Sequence, residues 1–109
     1  MTTRIYYTNG DTTDGTLKYE ISKKNVEDGK EMYGLLRIES LCNKYRGKMM
    51  VWPFSGWIEP KNKAVRKFEW RCQDIAGNKY TVKGTKEGIY FYGEILNDNG
   101  LPIGRIRTR

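Results

Sequence analysis

The sequence predicts an all-β protein, a single small antiparallel barrel or roll of about seven to eight short strands joined mostly by hairpins. Three observations carry this expectation. Apolar and polar residues alternate with a period of two through most of the chain, as in strands with one buried face. Gly, Asn and Asp interrupt the alternation at short intervals, which marks tight turns. No stretch of about 11 residues keeps a helical period. A chain of 109 residues fits one domain, residues 1–109, with one modest core. Eight Tyr, three Trp and three Phe can supply that core although 30% of residues are charged, since each ring can bury roughly 150–250 Å².

The elements follow in order. Residues 4–8 open as a strand and residues 9–15, NGDTTDG, form a loop. Residues 16–22 return with Leu17, Tyr19 and Ile21 on one face and Lys18 and Glu20 on the other. Residues 23–30 are polar and turn at Asp28-Gly29, and residues 23–33 have room for at most one helical turn. Residues 32–39 are the next strand, and Lys44-Tyr45-Arg46-Gly47-Lys48 is a basic turn. Residues 49–58 are apolar, but Pro53 lacks the N–H that a ladder needs, so this segment belongs at an edge, a bulge or a corner.

Two hairpins complete the chain. Phe68, Trp70 and Cys72 alternate with Lys67, Glu69 and Arg71, and Tyr80 and Val82 alternate with Lys79, Thr81 and Lys83. A three-residue loop at 76–78 pairs Cys72 with Val82, Trp70 with Gly84 and Arg71 with Lys83, which keeps one face apolar. In the last hairpin Asn99-Gly100 is a type I′ signal. It pairs Leu96 with Ile103, Glu94 with Arg105, Tyr92 with Arg107 and Tyr90 with Arg109, leaving Ile89, Phe91, Gly93, Ile95 and Ile106 on the other face. Glu94 opposite Arg105 is a favourable cross-strand pair, worth roughly 0.2–1 kcal/mol. Closure into a barrel removes exposed edges; up-and-down barrels, OB-like barrels and small sandwiches all fit the pattern.

Charge and the missing residue types narrow the function. There is no His, and the formal net charge is +7. Imidazole is the commonest acid, base and ligand of hydrolytic and metal-dependent sites, so the chain is read as a non-catalytic binding module. Ser22, Ser40 and Ser55 have no His partner, and KGTKEG lacks the spacing of a phosphate-binding glycine loop. Asp11 and Asp14 do not follow an EF-hand spacing and suit Asx turns. No metal site and no cofactor are expected. Cys42 and Cys72 lie within apolar alternation as inert core thiols. The first residues lack the apolar core of a signal peptide, and no run reaches the roughly 20 apolar residues of a membrane helix. A cytoplasmic protein without membrane association is expected.

The basic character is uneven. Residues 1–31 carry five Lys/Arg against six Asp/Glu, and residues 32–109 carry fifteen against seven. The outer face of the final hairpin brings Tyr90, Tyr92, Arg105 and Arg107 together. Arginines neutralise phosphates, and tyrosine rings give bases a stacking platform. Lys44 and Arg46, with Lys67, Arg71 and Lys83, extend this track toward a nucleic acid partner. The same residues also suit a solvated face of cation–π pairs. A second expectation is a small interaction or inhibitor protein docking on an acidic partner surface, the kind of protein that a virus or mobile element encodes. A third is a lipocalin-like barrel with a ligand mouth at Trp52, Phe54 and Trp57.

Overall fold

The computed structural model describes residues 1–27, 29–39, 49–74 and 77–108. Cys42, Lys44, Arg46 and Arg109 lie outside the described residues. The strands are β1 (Thr2–Tyr7), β2 (Thr12–Val26), β3 (Gly29–Glu39), β4 (Met49–Ile58), β5 (Val65–Gln73), β6 (Lys79–Glu87), β7 (Tyr90–Leu96) and β8 (Pro102–Thr108). Each pairs antiparallel with its neighbours in sequence, and β8 pairs with β1, so the sheet closes into an eight-stranded barrel.

Period-two patterning decides the inside. Along β5, Arg66, Phe68, Trp70 and Cys72 are buried while Lys67 and Arg71 are exposed. The interior is filled by rings. Trp70 stacks on Phe54 at 4.3 Å between centroids and lies 4.5 Å from Phe68, and Phe91 meets Phe68 edge-on at 5.3 Å. The buried Trp70 indole N–H donates to Met32 Sδ at 3.2 Å, which gives the one polar atom of that ring a partner. Two glycines let neighbouring strands approach closely: a Cβ on Gly56 would collide with the Glu69 carbonyl, and one on Gly84 with the Tyr92 carbonyl.

The structure corrects several expectations. β2 begins at Thr12, so residues 12–15 are strand and pair with β1, Tyr6 opposite Thr12 and Thr3 opposite Gly15. Residues 23–26 hold no helical turn. β2 continues through them past an irregularity between Ile21 and Asn25, where Lys24 N–H donates to Ser22 Oγ. Pro53 does not break β4. It lies one residue beyond the last β4–β5 pair, Phe54 with Cys72, where β4 is bonded to β3 alone. The segment is therefore the edge that proline tolerates.

Both late hairpins have five-residue connections. Across β5 and β6, Cys72 faces Tyr80, Trp70 faces Val82, Phe68 faces Gly84 and Arg71 faces Thr81. This register is two residues from the expected one, so inside and outside are preserved. Asp74 moves the loop by accepting from Asn78 N–H at 2.9 Å and from Tyr80 Oη at 3.0 Å. In the last hairpin Gly100 N–H donates to the Asn97 carbonyl, and Gly100 has φ of 77°. Among the described residues only glycines have positive φ, so Asn99 cannot make a type I′ turn. The turn is followed by a bulge that sets Leu96 opposite Pro102 instead of Ile103. Glu94 with Arg105 and Tyr92 with Arg107 pair as expected. Ile89 lies in the β6–β7 turn, 63% exposed, and not on the apolar face.

Candidate nucleic-acid interface

Two outward rows of side chains cross the barrel from β5 to β1. Register assigns the first as Lys67, Thr85, Tyr92, Arg107 and Arg4. The second runs Glu69, Lys83, Glu94, Arg105 and Tyr6. Tyr90 sits beside Glu87 at the end of β7. Tyr90, Tyr92, Arg105, Arg107, Lys67, Arg71 and Lys83 are all exposed.

The rows differ electrostatically. In the second, Lys83 lies between Glu69 and Glu94, and Arg105 faces Glu94, so cation and anion alternate. In the first no acid intervenes until Asp14 at the far side, where Arg4 makes a two-point contact, Nε to Oδ1 at 2.8 Å and Nη2 to Oδ2 at 3.2 Å. Asp14 holds the Arg4 guanidinium above its usual pKa, against a smaller opposing effect of burial. Arg107 lies over the Tyr92 ring, 6.0 Å from its centroid. At that distance the contact is a loose cation–π pair that keeps the charge beside the ring.

Trp52, Phe54 and Trp57 do not form one mouth. Trp52 and Phe54 point inward, with Trp52 stacked on Tyr80 at 4.9 Å. Trp57 points outward and is half-buried opposite Glu69. With Lys67, Lys83, Thr85 and Glu94 it lines a depression of about 420 Å³ on the sheet face. The sequence separates Trp57 from the basic set by a loop and a strand; the register of β4 on β5 unites them. A larger open cleft of about 1200 Å³ lies where the β4–β5 ladder ends. Arg71, Lys79 and Lys83 line it together with Glu69, Asp74 and Asp98, and Phe54 and Cys72 are reached through it.

Arg4 and Tyr6 were not anticipated as neighbours of Arg107 and Arg105. Their only signal is closure of β1 on β8, which a hairpin-by-hairpin reading does not contain. Among the described residues no three His, Cys, Asp or Glu side chains converge as metal ligands. No protein-family model matches the chain, and no curated protein is significantly similar to it.

Proposed function

We propose that the protein is a non-catalytic nucleic-acid-binding module that uses the outer face of β5 to β8 and β1. The observation that carries this reading is the first row: Lys67, Thr85, Tyr92 and Arg107 run cation, hydroxyl, ring and cation with no acid between them, beside the Trp57 depression. Phosphates lie against Lys67 and Arg107, and bases stack on Tyr92 and Trp57. Arg105 and Lys83 contribute less, because Glu94 and Glu69 already offset their charge.

Fluorescence anisotropy with labelled single-stranded and duplex oligonucleotides, titrated from low to physiological salt, tests the reading. Affinity should fall log-linearly with salt. Arg107→Ala and Lys67→Ala should each weaken binding about fivefold or more, roughly 1 kcal/mol, and Tyr92→Ala by about 1–3 kcal/mol. Arg105→Ala and Lys83→Ala should cost less. Equal losses at all four cations would replace the row by a diffuse field, and no saturable binding at physiological salt would end the proposal.

A second reading, docking on another protein, draws support from β3 and β4. Tyr33, Leu35 and Val51 are 42%, 45% and 50% exposed on adjoining outward positions, and Pro53 faces Leu35. Exposed apolar neighbours of this kind mark contact surfaces. This reading gains if oligonucleotides fail to bind.

A further inference from the structure

The opposite surface of the same sheet carries a polar group that the outer-face proposal does not use. At one end of the barrel an inward row crosses β1, β8, β7, β6 and β5. Thr3 faces Thr108, Phe91 N–H donates to Thr108 Oγ1 at 2.8 Å, Phe91 faces Lys86, and Lys86 faces Arg66. Arg66 is 6% exposed. Its Nε donates to the Glu59 carbonyl at 2.7 Å, but its buried Nη2 has no hydrogen-bond partner among the described residues, and neither has the buried Thr3 Oγ1.

Those two atoms raise a physical problem. A buried guanidinium without an anion is strongly destabilising, and a second cation beside it adds repulsion. Burial lowers the pKa of Arg66, opposed by the Tyr19 phenol. Burial lowers that of Lys86 too, with further lowering from Arg66 and Lys61. Among the described residues no carboxylate forms an ion pair with either cation. The carboxylate of Glu59 is committed to Lys63 Nζ at 2.6 Å and to the Lys67 N–H at 2.8 Å. Lys86 is the half-buried member of the row. It covers the Phe91 ring at 5.7 Å and donates to the Gly88 carbonyl in the β6–β7 turn.

We propose that this row is a binding site for one phosphate-class oxyanion, taken between Arg66 and Lys86 at the barrel end. Arg66 Nη2 supplies a directed donor, and Lys86 supplies a mobile charge that leaves the Gly88 carbonyl when the anion enters. The threonine hydroxyls of the row are further donors. An arginine fork suits a phosphate or sulfate oxygen pair. The site stands independently of the outer-face reading, because none of its residues points outward.

Two sources could present this oxyanion: free inorganic phosphate, and the terminal phosphate of a nucleic-acid strand. Thermal unfolding of the full chain would be followed in phosphate against chloride at equal ionic strength, then with a short 5′-phosphorylated oligonucleotide against its 5′-hydroxyl twin. The expected result is a rise in Tm of about 4 °C or more at saturation. Arg66→Met and Lys86→Met should each abolish it, and Arg107→Ala should retain the rise with inorganic phosphate. Arg66→Met should fold at least as stably as the parent in chloride, since it removes an unpartnered buried charge. A rise with inorganic phosphate assigns the free ion, and a rise confined to the 5′-phosphorylated strand assigns the strand end. No phosphate-specific rise with either probe, or a rise that both Met variants keep, would overturn the proposal.

Discussion

At the residue scale, three acidic protons are held by burial. Tyr7 and Cys72 are pushed up to about 12 by desolvation, and Tyr80 to about 12 by desolvation and its hydrogen bond to Asp74. Raised values favour the protonated forms, so their contribution to stability is fully present below the ordinary thiol and phenol values of 9.0 and 10.0. It is lost as pH rises from about 9 toward 12. Tm should therefore fall across that window, and absorbance of tyrosinate should show a late component that Tyr7→Phe diminishes. In a Cys42→Ser background, Cys72 should react with thiol reagents at pH 8 far more slowly than a free thiol, because little of it is thiolate although the cleft reaches it. Its buried place was legible from its alternation with Phe68 and Trp70. The fate of Arg66 was not: it continues the same alternation, but periodicity assigns a face and says nothing about a charge at the end of that face.

At the scale of elements, strand identity followed from alternation, while register depended on turns. The β5–β6 offset of two residues shows why. A slip of one would have turned Trp70 outward, so the pattern forbids it; a slip of two leaves every face unchanged, so only the Asp74 loop decides. The last hairpin was legible where Glu94 meets Arg105 and illegible at its tip, since Asn-Gly serves both a two-residue turn and a turn followed by a bulge. Gly100 is left-handed with open space around it. Gly100→Ala should cost about 1–2 kcal/mol in urea unfolding from backbone strain alone. Gly84→Ala, which has ordinary φ but meets the Tyr92 carbonyl, should cost more, because two strands must separate to admit the methyl group. Equal losses would show that the close approach is unimportant.

At the scale of the whole molecule, the barrel is a meander in which only β1 and β8 must meet over a long separation. Hairpin reasoning reached the β5–β6 and β7–β8 pairs, and it missed Arg4 and Tyr6 because they reach the basic face through the β1–β8 closure alone. Thr3 and Thr108 are partners across it. A circular permutant joining the two ends through a short Gly-rich linker, and opened in the exposed β4–β5 connection at Lys61-Asn62, should therefore fold with a Tm within a few degrees of the parent. Loss of cooperative unfolding in the permutant would mean that the β4–β5 connection is needed to align the strands.

The same pairing sets how the molecule bears tension. β1 and β8 run antiparallel, and their outer ends leave the barrel side by side. Force applied through those two ends meets the ladder bonds one pair after another and never loads them together in shear. A barrel whose interior is filled by packed rings would thus open by peeling at its own closure, a weak seam for any machine that pulls it by both ends.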